Sequence, residues 1–189
     1  MNIYNEIGKK YREHRSPEIG VSDIKEFINK ASARSVLDLG CGNGFPIATS
    51  LRQEVDEYVG VDSSEILLAE FKENVPNAKS VHSKLELLDL GNSLFDLVFS
   101  YGVIFHLRPQ DQLTALTNAV SFIAPGGLLV FNSGSDPGSG TGNVAGYDID
   151  HWSIGDKKYV EHLEGLGLKY LGNKMGEGQN LFFIFSRDF

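Results

Sequence analysis

The chain of 189 residues is 41% hydrophobic and 22% charged, with a formal net charge of −8, which is typical of one globular domain with its own core. No apolar run approaches the roughly 20 residues of a membrane-spanning helix, the N-terminus lacks the apolar stretch of a secretory signal, and a single cysteine argues against a disulfide framework and a multi-cysteine zinc site. We therefore expect a cytoplasmic protein without a membrane partner, and the acidic balance argues against a nucleic-acid partner, because phosphate binding uses clustered Lys and Arg.

Residues 1–32 are predicted to form a helical segment ahead of the first strand. Apolar residues recur at helical spacing in two stretches, and Ser16-Pro17 separates them, because a residue before proline disfavours the helical conformation. Ile24, Phe27 and Ile28 mark the buried face of the second helix. We expect this segment to cap a single domain that spans residues 1–189.

The segment Val36–Phe45 reads VLDLGCGNGF and joins a strand to a glycine turn. Its apolar start suits a buried parallel strand, and its three glycines permit a tight turn that a ligand can approach closely. Pro46 is favoured in the first turn of a helix. A strand, a glycine turn and a helix start together predict a nucleotide-binding corner. Phe45 stands where a dinucleotide fingerprint has its third glycine.

The second predicted strand, Tyr58–Asp62, ends in a carboxylate. Asp62 lies 20 residues after Gly42, where a βαβ unit places an acid on ribose hydroxyls. Helical patterns then alternate with short apolar runs, with strands at Lys79–His82, Leu94–Ser100 and Leu128–Asn132 and helices at 64–74, 109–123 and 157–166. This alternation predicts a doubly wound parallel sheet. Lys169–Met175 and Leu181–Ser186 read as a terminal hairpin.

Glycine and serine dominate Ser133–Gly146, and the segment YDIDHWS follows it. Long stretches without structure inside a domain are usually functional lids or locally disordered. We predict a loop over 133–155 that lies near the substrate and closes over it. A disordered insertion is the alternative.

Four motifs, VLDLGCGNG, VGVDSS, FDLVFSYGVIFHL and APGGLLVFN, follow one another along the chain. Together they resemble the class I S-adenosylmethionine (SAM) dependent methyltransferases, in their small-molecule, type 11/12-like branch. The resemblance implies a Rossmann-like α/β fold with a seven-stranded sheet, a parallel core, an antiparallel C-terminal hairpin and helices on both faces. It also implies an enzyme that converts SAM to S-adenosylhomocysteine (SAH) and methylates a small-molecule acceptor.

The resemblance also assigns residues to SAM. The glycine loop would meet the amino-acid tail, with Asp38 holding the loop or meeting the ammonium, and Asp62 would hold the ribose. Tyr11 belongs to a Y…G..Y pattern that folds over the cofactor in the family, although packing on the sheet explains it equally well. The implied cofactor-binding set is Tyr11, Asp38, Gly40, Cys41, Gly42, Asp62, Ser63, Ser83, Lys84, Leu85, Ser100 and Tyr101.

The adenine end departs from the family pattern. Many members carry an Asp after strand three that accepts from the adenine amine, whereas this sequence has Ser83 or Lys84 there, followed by Leu85. A lysine side chain accepts no hydrogen bond. Only Ser83 or a backbone carbonyl would then take the amine, unless the loop is shifted to bring Glu86 or Asp89 there.

His106 is the candidate catalytic base, because it follows strand four at the edge where open α/β sheets bind ligands and an unperturbed histidine titrates near neutral pH. A histidine that only fixes its loop is the alternative. A second polar and aromatic group is expected near the acceptor, or else as a surface turn anchored by the tryptophan: Asp148, Asp150, His151 and Trp152.

Three other residues, one cysteine and two histidines, are predicted to have minor roles. Cys41 is expected to pack beneath SAM, with a catalytic thiol as the alternative. His14 and His82 look incidental, and without paired-histidine spacing no metal site is expected.

Two further functions remain open at this stage. The glycine turn and Asp62 also suit a Rossmann-type NAD(P)-dependent oxidoreductase, against which Phe45 counts. A non-catalytic module that binds SAM or SAH is the third interpretation, because methyl transfer needs no obligatory catalytic side chain when positioning supplies most of the effect.

Overall fold

The computed structural model describes residues 18–144 and 146–189. The first predicted helix and the Y…G..Y pattern, including the cofactor candidate Tyr11, lie outside the described residues. Within the described chain, no helix is both long and apolar enough to cross a membrane.

A seven-stranded sheet forms the centre of the fold, in the order β3-β2-β1-β4-β5-β9-β8. The first five strands run parallel, and β9 is antiparallel to both of its neighbours. The bounds are β1 Ser35–Leu39, β2 Glu57–Asp62, β3 Lys79–His82, β4 Phe95–Ser100, β5 Ile123–Asn132, β8 Leu168–Met175 and β9 Leu181–Arg187. The predicted parallel core and antiparallel terminal hairpin are confirmed.

Five helices are described, and they divide between the two faces of the sheet. They are α1 Val21–Ala31, α2 Ile47–Leu51, α3 Glu65–Asn74, α4 Pro109–Ser121 and α5 Asp156–Gly165. The buried residues of α1, α2 and α3 join one core cluster, and those of α4 and α5 join the other. On β1, Val36 faces the first cluster and Leu37 the second, because successive strand residues point to opposite faces. The predicted helices on both faces are therefore confirmed.

The expected loop over 133–155 is wrong, because most of it is a β-hairpin. Strand β6 (Pro137–Val144) pairs antiparallel with β7 (Tyr147–Ile154) in a separate two-stranded sheet. Thr141 donates to Asp150 and Asn143 donates to Asp148 across the strands, at 2.9 Å each. Gly140 is paired with His151 across the hairpin. A Cβ added to Gly140 would lie 2.9 Å from Nε2 of His151. Glycines thus alternate with polar residues at strand spacing, and the hairpin is held by polar pairs instead of the apolar residues that usually signal a strand.

Candidate active site at the carboxyl edge of the sheet

The carboxyl ends of β1, β2, β4 and β5 meet at one edge of the sheet. Leu39 is paired with Val61, and Ser100 with Phe131. Consequently the loops that follow these strands lie side by side. Open α/β sheets bind their ligands at this edge.

The glycine loop after β1 has little hydrogen-bond donor capacity left for a ligand. Gly40 N and Cys41 N both donate to Val61 O, at 2.7 and 3.0 Å, and Gly42 N donates to Asp62 Oδ2 at 2.9 Å. Gly44 N and Phe45 N also donate within the loop, to Cys41 O and Asn43 Oδ1. The contacts predicted for Gly40, Cys41 and Gly42 must therefore come from carbonyl oxygens, because these N–H groups are bonded inside the protein.

Gly40 shows why this loop needs glycine. Its φ is +88°, and an added Cβ would lie 2.2 Å from Cγ2 of Val103. Both the left-handed backbone and the close approach exclude a side chain. The loop after β4, which carries Val103, is thus packed directly onto the glycine loop.

Asp62 connects the loops that follow β1 and β2. Its Oδ2 accepts from Gly42 N at 2.9 Å, and its Oδ1 accepts from Ser64 N at 2.8 Å. Burial raises the pKa of Asp62, and the hydrogen bonds from backbone amides offset only part of that rise. A carboxylate has about four acceptor positions, so Asp62 can still accept from a hydroxyl donor beside the backbone amides of Gly42, Ser63 and Ser64. The role of Asp62 as a ribose ligand stays a prediction.

Asp38 and Cys41 lie in the buried layer beneath the loop. Asp38 Oδ2 accepts from the Tyr58 hydroxyl at 2.7 Å. Burial, and then the charges of Asp38 and Asp62, raise the pKa of the Cys41 thiol well above its usual value. An added Cβ on Gly60 would be 2.7 Å from Cys41 Sγ. A buried, protonated thiol in close packing argues against a catalytic nucleophile.

The predicted adenine end lies after β3. Ser83 N donates to Asp62 O at 3.0 Å, and the Ser83 hydroxyl donates to Lys84 O at 2.9 Å. Leu85 is buried, whereas Lys84 is exposed. His82, expected to be incidental, places Nε2 3.1 Å from Ser63 O. The adenine assignment stays a prediction, and His82 lies beside the residues predicted to hold the ribose.

The side chains at the end of β4 are turned into the protein. The hydroxyl of Ser100 donates to Leu39 O at 2.9 Å and joins β4 to β1. Asn180 donates to the Tyr101 hydroxyl at 3.0 Å, and an added Cβ on Gly20 would lie 2.7 Å from the Tyr101 ring. Cofactor contacts of Ser100 and Tyr101 remain predictions. The bonds described here give both residues a structural role.

Sequence reasoning missed a pair of asparagines behind this loop. Asn132 Oδ1 accepts from Gly102 N at 2.7 Å, and Asn132 Nδ2 donates to Asn180 Oδ1 at 2.9 Å. Together with the bond from Asn180 to Tyr101, they tie the loop after β4 to β5 and β9. The one available signal was that Asn132 ends β5, where the strand is otherwise apolar.

His106 lies in a single helical turn, Ile104–His106, beside the hairpin. Its Nδ1 is 3.4 Å from Asp150 O, and its ring centroid is 4.5 Å from that of Phe105. This contact favours the interpretation of a histidine that fixes the loop. Its role as a base stays a prediction.

An open cleft of about 540 Å³ lies between the hairpin and the main sheet. We call it the hairpin cleft; its wall includes Phe105, Asn132, His151, Trp152, Gln179 and Asn180. Buried Tyr159 and Gln112 anchor the base of the hairpin: Tyr159 bonds to Ser133 and Gln112, and Gln112 donates to Trp152 O. Burial raises the pKa of Tyr159, so its hydroxyl stays protonated.

The structure gives the four residues of the second predicted group two different roles. His151 and Trp152 line the cleft, whereas the carboxylates of Asp148 and Asp150 are used in cross-strand bonds to Asn143 and Thr141. Among the described residues, no group of three or more His, Cys, Asp or Glu is placed to hold a metal ion.

Comparisons with known proteins agree with this geometry. Residues 36–127 match a family described as a methyltransferase domain. A solved SAM-dependent methyltransferase from Clostridium acetobutylicum is 14% identical, with full coverage of both chains and a TM-score of 0.77. A SAM-bound amino pentose methyltransferase from Micromonospora echinaspora is 18% identical over 99% of this chain and 97% of its own, with a TM-score of 0.76. At these identities the likeness establishes the fold.

Curated relatives correct one prediction. Two proteins, from Shewanella baltica and Aliivibrio fischeri, are each named tRNA U34 carboxymethyltransferase. They are 35% and 38% identical over 58% and 56% of this chain. The chain spans about a third of the length of these relatives, 34% in each case. Their names contradict the expectation of a small-molecule acceptor without a nucleic-acid partner. The small-molecule acceptor was implied by the family resemblance, and the absence of a nucleic-acid partner was inferred from the net charge, which says nothing about local charge.

Proposed function

We propose that this chain transfers the methyl group of SAM to an acceptor. Its residues 36–127 match a methyltransferase domain family, and its fold is that of SAM-dependent methyltransferases. The observation that carries the proposal is the polarity of the glycine loop. Five of its N–H groups are bonded internally, so the loop and Asp62 offer mainly hydrogen-bond acceptors. The ammonium and the two ribose hydroxyls of SAM are donors, and they match those acceptors.

The same polarity disfavours the oxidoreductase alternative. A dinucleotide pyrophosphate is held by free N–H groups of the glycine loop and of the helix that follows. Here those of Gly40, Cys41 and Gly42 are occupied, and helix α2 has only five residues. Calorimetry with SAM, SAH, NADH and NADPH tests the difference. We expect SAM and SAH to bind; binding of a nicotinamide cofactor alone would contradict the proposal.

For the acceptor, we propose a tRNA. The names of the curated relatives support this class, and the hairpin cleft supplies aromatic surface from Phe105 and Trp152. Enzymes that modify a base commonly take it out of the stack and hold it between apolar or aromatic side chains. The cleft suits such a flat group better than it suits a phosphate, because none of the described residues that line it is Lys or Arg.

The phosphates of a tRNA would then be bound outside the cleft. Arg108 and Lys158 are both exposed, and neither forms an ion pair within the described part of the chain. Arg108 follows His106 by two residues, and Lys158 lies in the first turn of α5, directly after the hairpin. Local cations of this kind can serve a protein of negative net charge.

Methyl-labelled SAM and unfractionated bacterial tRNA provide the test. We expect label in acid-precipitable, ribonuclease-sensitive material, and mass spectrometry of the digested nucleosides identifies the group added. Arg108→Glu with Lys158→Glu should raise the KM for tRNA about tenfold or more, whereas Lys30→Glu, an exposed control at the opposite edge, should not.

Three outcomes separate the parts of this proposal. Labelled metabolites without labelled tRNA would overturn the acceptor class and keep the methyltransferase. SAH binding without transfer to any acceptor would favour a non-catalytic binding module. Absence of both SAM and SAH binding would overturn the whole proposal.

A further inference from the structure

The turn between β8 and β9 brings a side chain to the hairpin cleft that the cofactor site does not use. Gln179 lies in the short 3-10 turn Glu177–Gln179 and lines the cleft opposite the hairpin. Its side chain is exposed and forms no hydrogen bond with any described residue.

The backbone at this position is unusual. Gly178 and Gln179 have φ values of +63° and +62°. Glycine adopts that conformation freely, but a residue with a side chain adopts it at a cost. Strained residues of this kind are concentrated at binding and active sites. A second glycine at position 179 would remove this conformational cost.

The rest of the turn is firmly held. Buried Asp23 on α1 accepts from Glu177 N at 3.0 Å, and Gly176 N donates to Asn180 O at 2.8 Å. Asn180 uses its amide on Tyr101, Asn132 and Glu177 O. The polar groups of its neighbours Glu177 and Asn180 are therefore engaged in fixing the turn, and in the described part of the chain Gln179 is the residue of this turn that presents a free amide to the cleft.

We propose that Gln179 recognises the hydrogen-bonding edge of an uncharged heterocyclic base held in the hairpin cleft. This inference rests on the proposed tRNA acceptor. A glutamine amide offers a donor and an acceptor side by side, which matches the paired donor and acceptor on a base edge. Among the described residues, the cleft wall carries one carboxylate, Asp136, and no Lys or Arg, while Phe105 and Trp152 supply surface for stacking. The bound group is therefore flat and uncharged, and its identity is read from the β8–β9 turn.

Trp152 permits a direct binding measurement, because it is the only tryptophan of the chain and lines the cleft. The protein is saturated with SAH to block the cofactor site, and uridine, cytidine, adenosine and guanosine are titrated separately while tryptophan fluorescence is followed. We expect at least one nucleoside to change the fluorescence. Gln179→Leu should weaken that binding about tenfold, the loss expected for one hydrogen bond without a substitute. Gln53→Leu, an exposed glutamine far from the cleft, is the matched control.

A structural role for Gln179 is tested by Gln179→Gly, which removes both the amide and the strain. We expect an unchanged or higher melting temperature, unchanged SAH binding, and the same weakening of nucleoside binding and rise in the KM for tRNA. A lower melting temperature with unchanged nucleoside binding would overturn the inference.

The outcomes distinguish this inference from the proposed function. Nucleoside binding that depends on Gln179, without methylation of tRNA, supports the inference and overturns the proposed acceptor. Methylation of tRNA with equal KM in wild type and Gln179→Leu overturns the inference and leaves the proposed function intact. Absence of any nucleoside effect on Trp152 fluorescence also overturns the inference.

Discussion

The two edges of the parallel sheet each carry a carboxylate that accepts hydrogen bonds from backbone amides. At the amino edge, Asp96 Oδ2 accepts from Arg34 N, Ser35 N and the Ser35 hydroxyl, each at 2.9 Å. At the carboxyl edge, Asp62 accepts from Gly42 N and Ser64 N. In their local bonding the two aspartates are close equivalents.

Their pKa values nevertheless move in opposite directions. Burial is the largest single influence on Asp96 and raises its pKa, but the bonds from Arg34 and Ser35 and the nearby guanidinium together outweigh it, so the net pKa is lowered. At Asp62 burial dominates, and the pKa is raised. The ionised carboxylate of Asp96 therefore stabilises the fold. The ionised carboxylate of Asp62 destabilises it, and a ligand with hydroxyl donors can offset that loss of stability.

The largest expected effect is on cofactor affinity. Asp62→Ala removes the proposed ribose ligand, and the loss of two charge-assisted bonds should cost about 2–4 kcal/mol. SAM affinity should fall by a factor on the order of 30 to 1,000, measured by calorimetry. Asp96→Ala should leave the affinity within about twofold, since its bonds lie at the other edge. Equal losses in both variants would mean that destabilisation, not a ribose contact, lowers the affinity.

The second contrast concerns glycines with positive φ at the two edges. An alanine at Gly40 would collide with Val103 at 2.2 Å, and one at Gly126 would meet the ring of Phe189, a fully exposed residue, at 2.6 Å. We expect Gly126→Ala to cost about 1–2 kcal/mol for the left-handed backbone alone. Gly40→Ala should cost a further 1–3 kcal/mol or so, because Val103 is packed in place. Urea denaturation measures both, and equal costs would show that the loop after β4 yields easily.

The third contrast is the pH dependence of stability. Because the folded pKa of Asp62 is raised above 3.8, its ionisation costs stability as pH rises through that range. The stability of Asp62→Asn should therefore rise relative to that of the wild type between about pH 4 and pH 7.

Asp96 has the opposite sign: its folded pKa is below 3.8, so its stabilisation is present above that value and is lost as pH falls through the folded pKa. The loss of stability in Asp96→Asn relative to the wild type should then be largest above about pH 4 and smallest near pH 3. Urea titrations at several pH values provide the check, and parallel curves for the two variants would remove the distinction between the edges.

The smallest effect is expected in the hairpin that extends from the carboxyl edge. We predict that the amides of 134–144 exchange faster than those of β4 and β5, and that SAH together with tRNA slows them. Hydrogen exchange in the free and bound protein measures this. Full protection in the free protein would make the hairpin a static wall, whereas fast exchange in every state would remove it from the acceptor site.

The apolar pattern of the sequence was enough to predict the architecture of the sheet, and its local motifs predict where a cofactor binds. Apolar runs of strand length alternate with amphipathic helices from Ser35 onwards, and such patterns state directly which faces are buried. The glycine turn and Asp62 were recognisable because their chemistry depends on local spacing. The hairpin was missed, since β6 has glycine and small polar residues where strands usually have β-branched ones, and its pairing depends on partners in β7.

The hydrogen-bond partners within the site, in contrast, could be found only from the tertiary structure. Gly42 and Asp62 are 20 residues apart, and nothing in their spacing says that the carboxylate consumes the amide that a phosphate would need. The same holds for Asn132 at the end of β5 and for Gln179 and Asn180 in the turn before β9, which come together only when β9 inserts beside β5. Hydrogen-bond partners across such distances are chosen by packing, because any polar residue can satisfy another, whereas apolar periodicity follows from one segment alone.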